Sequence, residues 1–108
     1  MLIVDSQVHI WGADTPERPW PKPERGKPQQ PQPFGWQDLL KAMDAAGVDR
    51  TVIVPPMWEG DRNDLGLEGA RAHPKRLAVM GRLDPEAPES RGKLATWRKQ
   101  PGMLGLRP

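Results

Sequence analysis

Leu2-Ile3-Val4-Asp5-Ser6-Gln7-Val8-His9-Ile10-Trp11 opens the chain with an apolar run that gives way to a polar residue at alternate positions. A β-strand alternates its side chains with period two. Asp5, Gln7 and His9 are therefore expected on one side, with Ser6, Val8 and Ile10 on the other. Three metal- or substrate-grade side chains at the end of an apolar strand are wasteful as packing and well suited to one wall of an active site. Trp11 shares the parity of His9 and is the aromatic expected nearest to it.

Downstream, strand-like and helix-like patterns alternate. Residues 2–10 form the first apolar-rich strand. Trp36, Leu39, Leu40 and Met43 fall at the spacing of one helical face, and Gly47 ends that helix. Residues 50–54 form a short β-branched run stopped by Pro55-Pro56. Asn63 is placed to cap a second helix carrying Leu65, Gly69 and Ala72 on one side, closed by His73-Pro74. Residues 76–83 form a third strand. Residues 89–99 form a third helix, with Leu94 and Trp97 as its apolar contacts. Residues 103–107 begin a fourth strand. This alternation predicts a parallel α/β sheet. The continuous runs Thr51-Val52-Ile53-Val54 and Leu77-Ala78-Val79-Met80 predict strands buried on both faces. The working residues of such a sheet lie at its C-terminal edge, where His9, Pro55, Asp84 and Arg107 are expected together.

The chain has 108 residues, 14 prolines, no cysteine, and a net charge of +2. Seven prolines (Pro16, Pro19, Pro21, Pro23, Pro28, Pro31 and Pro33) fall within 12–35, which reads as a long extended loop over the sheet edge. Without cysteine there are no disulfides and no thiolate chemistry, and a reducing cytoplasm is the default compartment. No apolar run approaches the roughly 20 residues of a membrane span, and the start lacks the pattern of a signal peptide. The basic residues after Arg71 carry no nucleic-acid motif, and no glycine pattern suits a phosphate. The expected partner is a small-molecule substrate, with neither nucleic acid nor membrane.

The first strand resembles the Asp-x-His-x-His strand of the amidohydrolase superfamily, and more narrowly the amidohydrolase-related branch of lactone hydrolases and decarboxylases. The resemblance continues, in the family's order, through Trp36-Gln37-Asp38-Leu39-Leu40 and Met43-Asp44-Ala45-Ala46-Gly47-Val48-Asp49-Arg50, then Thr51-Val52-Ile53-Val54-Pro55. It extends over His73-Pro74-Lys75-Arg76-Leu77 and Gly81-Arg82-Leu83-Asp84-Pro85 to Gly105-Leu106-Arg107. It implies an eight-stranded (β/α) barrel, which typically takes about 250 residues. Residues 1–108 are then expected to be its N-terminal part, three β-α units and a fourth strand, with the Pro-rich loop 12–35.

The resemblance implies that Asp5, Gln7 and His9 are catalytic or metal-binding, with His9 the metal-ligand candidate. Gln7 stands where the family has its first His, and a neutral amide oxygen is a poor zinc ligand. It can still hydrogen-bond a substrate oxygen. A divalent metal such as zinc is thus compatible with the family and weakened by Gln7. Arg107 at the end of the fourth strand suits a substrate carboxylate in a bidentate pair, or else is a solvated terminal charge. Arg82 either faces the pocket or pairs with Asp84. Trp11, Trp20, Phe34 and Trp58 are aromatic candidates near the mouth, Trp36 is packing, and His73 is a helix-end residue. The implied activity is a hydrolase opening a lactone or similar carbonyl bond in a small carboxylated metabolite, incomplete as this chain. The alternatives are a decarboxylase of the same branch, or a non-catalytic remnant that depends on a partner or self-associates through open sheet edges.

Overall fold

A computed structural model describes residues 1–20, 28 and 30–107. Four strands, β1 (Val4–Val8), β2 (Arg50–Ile53), β3 (Leu77–Gly81) and β4 (Met103–Leu106), form one parallel sheet in the order β1-β2-β3-β4. Three helices, α1 (Trp36–Ala46), α2 (Asp64–Ala72) and α3 (Ser90–Ala95), connect them in turn. This is the expected alternation, with every neighbouring strand joined by a helical crossover.

The helices form because their apolar residues recur on one face. In α1, Leu39 and Met43 are buried and Trp36 and Leu40 half-buried. The Asp38 carboxylate accepts the Gly35 N–H at 3.0 Å, holding the entry turn. Gly47, at φ 73° and ψ 26°, ends the helix in the left-handed region that a Cβ disfavours. Helix α2 buries Gly66, Leu67, Gly69 and Ala70, whereas Ala72 is exposed. Asn63 stands at the α2 N-cap position but makes no cap bond. It instead grips the end of β3: its Oδ1 accepts the Arg82 N–H at 2.7 Å and its Nδ2 donates to the Arg82 carbonyl at 2.9 Å. The third helix is shorter than expected. It gives way to a 3-10 turn at Trp97–Lys99, where Trp97 is buried and donates its indole N–H to the Gly105 carbonyl at 2.7 Å. Leu94 is 44% exposed, so it is not the packing contact its position suggested.

The core lies between the sheet and the helices. Ile53, Leu77 and Val79, each 2% exposed or less, pack with Leu39, Met43, Leu67 and Ala70. Burial alternates along β2 and β3, leaving Val52, Ala78 and Met80 only half-buried. Val4 and Leu104 are 50% and 48% exposed. The expectation of strands buried on both faces therefore holds for the helix-covered face alone.

Strand β1 carries one irregularity that matters for the site. Asp5 pairs with Thr51 and Val8 with Ile53, so three steps along β1 match two along β2. That is a β-bulge. The Asp5 carboxylate accepts the Gln7 N–H across it at 3.1 Å.

Candidate active site

Side chains and backbone from all four strands meet at the C-terminal edge of the sheet. His9, just past β1, donates its Nδ1–H to the Val54 carbonyl just past β2, at 2.6 Å. A carbonyl can only accept, so the neutral ring is the Nδ1–H tautomer and its Nε2 lone pair is free. Arg82, past β3, donates its Nε–H to the Pro55 carbonyl. Arg107, past β4, continues the ladder by donating its backbone N–H to the Gly81 carbonyl at 2.7 Å. Its Nη1 is buried and has no hydrogen-bond partner among the described residues. An unpaired buried guanidinium nitrogen leaves a donor for an oxyanion. His9, Pro55, Asp84 and Arg107 thus follow the same ends of parallel strands, as the topology requires.

An aromatic wall backs His9. The Trp58 ring meets the His9 ring edge-on, with centroids 5.7 Å apart. Trp11 meets Trp58 edge-on at 5.6 Å, and Phe34 stacks behind Trp11 at 5.7 Å. Trp58 is 7% exposed and its buried indole N–H has no partner among the described residues. Trp11 donates its own indole N–H to the Gln32 carbonyl at 2.9 Å. The ring against His9 is therefore Trp58, with Trp11 one layer behind it.

The bulge in β1 overturns the shared direction expected of Asp5, Gln7 and His9. One extra residue reverses the parity of everything after it. Asp5 and Val8 consequently line one cavity of about 270 Å³ beneath α1, with Leu39, Ala42 and Met43. Asp5 is on the helix side of the sheet, Gln7 is exposed, and His9 stands on the aromatic wall. Among the described residues, no group of three or more His, Cys, Asp or Glu side chains is arranged to hold a metal. The side chains in hand do not fit the two-His clamp implied for β1: Gln7 replaces one His, and Asp5 faces away.

Arg82 lines a second cavity of about 270 Å³ with Met57, Gly60, Asp61, Leu83, Asp84 and Pro85. Asp84 is held by its backbone, its N–H donating to Asp61 Oδ2 at 2.9 Å, while its own carboxylate caps the Glu86 N–H. His73 is a packing residue, tilted on Trp36 at 5.3 Å.

The loop entering at Gly12 is tied down at both ends. Trp11 and Phe34 exchange backbone hydrogen bonds at 2.9 and 3.0 Å as an isolated antiparallel bridge. Of the loop expected over the mouth, 12–35, residues 21–27 and 29 lie outside the described residues. Glu59 and Arg18, which no local sequence pattern marks, form a charged pair beside the mouth. Glu59 is 2% exposed and its Oε1 accepts the Gly12 N–H at 2.9 Å and the Arg18 Nε–H at 3.1 Å. Arg18 Nη2 donates to Glu59 Oε2 at 3.1 Å, and its Nη1 and Nη2 reach Asp64 at 2.7 and 2.9 Å. These hydrogen bonds from Arg18 hold the Asp64 carboxyl below its ordinary range, against a smaller opposing effect of burial. Those to Asp64 foremost raise the Arg18 guanidinium above its usual value.

A sheet of this order, with its helices on one face and its polar side chains at the C-terminal edge, is the N-terminal portion of a (β/α) barrel. Solved structures bear this out. A probable 2-pyrone-4,6-dicarboxylic acid hydrolase from Acinetobacter baumannii, with citric acid bound, matches the whole chain with a TM-score of 0.77 at 19% identity. An amidohydrolase from Burkholderia multivorans with bound zinc matches it with a TM-score of 0.69 at 23% identity. The chain spans 38% and 37% of the length of these two proteins. The shared fold is that of the β/α units making up that part of the two neighbours' chains. No family model and no curated protein matches the sequence. No helix among the described residues is long and apolar enough to cross a membrane.

Proposed function

We propose that this chain forms the first wall of a hydrolase mouth that opens a lactone or a similar carbonyl bond in a small carboxylated metabolite. The observation that carries this reading is the pairing, on one sheet edge, of a histidine with a free Nε2 and an arginine with an unpaired, buried Nη1. Arg107 holds a substrate carboxylate, and His9 Nε2 is the nitrogen turned to the reacting carbonyl. In its neutral form that nitrogen accepts a proton from attacking water, and in its charged form it stabilises the developing oxyanion. The unpartnered Trp58 indole N–H is a further donor to a substrate oxygen. The acid named for the Acinetobacter neighbour is a dicarboxylated lactone, which matches this division of labour. Groups beyond these come from strands that the neighbours have and these 108 residues do not span.

Isothermal titration with 2-pyrone-4,6-dicarboxylate tests this. Arg107→Gln should weaken binding about tenfold, the scale of one charge-assisted hydrogen bond. An uncarboxylated lactone should bind both proteins alike. Equal binding of the dicarboxylate by both would contradict the assignment.

The open sheet face favours a second reading, in which strands of another polypeptide or a second copy complete the layer. Unpaired parallel edges at β1 and β4, together with the exposed Val4 and Leu104, motivate it. Sedimentation across a concentration range checks it. A monomer at all concentrations, with no partner needed for ligand binding, would set it aside.

A further inference from the structure

We propose that the Arg18–Glu59 pair is a positioning device for the aromatic wall behind His9, and that it acts on the mouth without holding up the rest of the fold. A closed circuit of contacts links the pair to that wall. Gly12 directly follows Trp11, and Glu59 directly follows Trp58. The Gly12 N–H donates to Glu59 Oε1, and the Trp11 and Trp58 rings meet edge-on. Two peptide bonds, one hydrogen bond and one ring contact therefore form a loop, and Glu59 is its polar vertex. Moving the Glu59 carboxylate moves Gly12 and Trp58 together, and Trp58 carries the His9 ring.

Arg18 fixes that vertex. Two of its guanidinium nitrogens fork onto the two Glu59 oxygens, so the carboxylate can neither rotate nor slide. The guanidinium is itself held from outside by the Asp64 carboxylate at the start of α2. Its backbone is set by a tight turn, with the Arg18 N–H donating to the Thr15 carbonyl at 3.0 Å and to Thr15 Oγ1 at 3.1 Å. A side chain at position 12 would crowd Arg18. A Cβ there would lie 2.9 Å from Arg18 Nε and 3.1 Å from Arg18 Cδ. A buried carboxylate is a costly way to anchor a loop when an apolar plug would serve. What the pair supplies beyond an apolar plug is direction: three hydrogen bonds converge on one carboxylate at fixed angles. Arg18 and Glu59 touch neither the free Nε2 of His9 nor Arg107, so their part is positioning.

The test uses the full chain labelled with fluorotryptophan, read by fluorine NMR. The five tryptophans supply the probes. Trp11 and Trp58 report the wall. Trp36 and Trp97 report the helix-covered side, where one packs on His73 and the other bonds Gly105. The double variant Arg18→Met with Glu59→Leu removes both charges and strands neither. It should shift the Trp58 and Trp11 signals and leave those of Trp36 and Trp97 in place. Unmoved Trp58 and Trp11 signals would overturn the proposal. So would collapse of all the signals, because the pair would then hold the whole fold. Gly12→Ala keeps both charges and only crowds Arg18. It should move the same two signals in the same direction, and a wild-type spectrum for that variant would also overturn the proposal.

Discussion

The two faces of the sheet are built from neighbouring residues of the same strands, yet they differ sharply. Ile53, Leu77 and Val79 are sealed beneath α1 and α2, while Val52, Ala78 and Met80 beside them are half-open and Val4 and Leu104 are about half-exposed. Both sets are apolar. A strand with one face in water normally alternates apolar with polar residues, whereas a strand covered twice is apolar throughout. The composition is therefore that of a sheet with two covers, and the described residues supply one. The difference teaches that the packed core and the proposed site are separated in this unit. The helix-covered face supports the fold, and the edge where both faces end presents His9, Trp58 and Arg107.

The sharpest way to break this comparison is to truncate one residue on each face. Ile53→Ala should lower stability by about 3 kcal/mol, a usual cost for deleting buried methyl groups. Leu104→Ala should cost less than about 1 kcal/mol, as befits a half-exposed site. Urea unfolding followed by circular dichroism measures both. Similar losses would mean that the open face is already covered, by a second copy or by the chain itself.

A similarly large effect is expected where the mouth meets the core. Arg18→Met alone strands the buried Glu59 carboxylate and should cost on the order of 3 kcal/mol. The paired variant Arg18→Met with Glu59→Leu should recover most of that loss, because the buried charge is then gone and the Asp64 carboxylate, which also loses Arg18, is 63% exposed and solvated. If the paired variant is no more stable than the single one, the cost lies in lost packing and not in the charge.

A smaller effect comes from acid. The Asp64 carboxyl is held below the usual carboxylate range in the folded chain by its bonds to Arg18, which remains charged throughout. A depressed folded pKa contributes stability at neutral pH, and that contribution is lost as the pH falls from about 4 through the folded value. The Asp64 side chain is 63% exposed, so the loss should stay below about 1 kcal/mol. Denaturant midpoints between pH 7 and pH 3 should show this component, and Asp64→Asn should remove it. A variant with an unchanged pH profile would show that the outer half of the clamp contributes nothing. Smallest of all, Val4→Thr should leave stability within about 0.5 kcal/mol while lowering any self-association seen by sedimentation.

Much of the fold was legible because it rests on local patterns. Apolar β-branched runs bounded by glycine and proline gave the strands, and the spacing of Leu39 and Met43 gave α1. What was not legible depends on contacts between distant residues. Period-two reasoning cannot see that the Asp5 carboxylate captures the Gln7 N–H and so inserts a bulge, which separated Asp5 from His9. Asn63 reads as a helix cap by its neighbours, but its partner is Arg82, 19 residues on. Glu59 carries no local sign of burial, and its partner is Arg18, 41 residues away. Leu94 is apolar and still exposed, since no described element lies over it. The position of His9 and Arg107 at one edge of the sheet was visible because the C-terminal ends of parallel strands share one edge. Trp58 stood among the mouth aromatics in the sequence, but parity placed Trp11 nearer to His9 than the structure does.

The account depends most on His9 being held by Nδ1 with Nε2 open to a ligand. A long-range proton–nitrogen spectrum of the imidazoles reads this directly, and with two histidines in the chain the assignment is simple. At a pH where the ring is neutral, His9 should be the Nδ1–H tautomer, with an unprotonated Nε2 whose signal moves when 2-pyrone-4,6-dicarboxylate is added. An Nε2–H tautomer, or an Nε2 signal that stays fixed while the ligand binds, would contradict the proposed mouth.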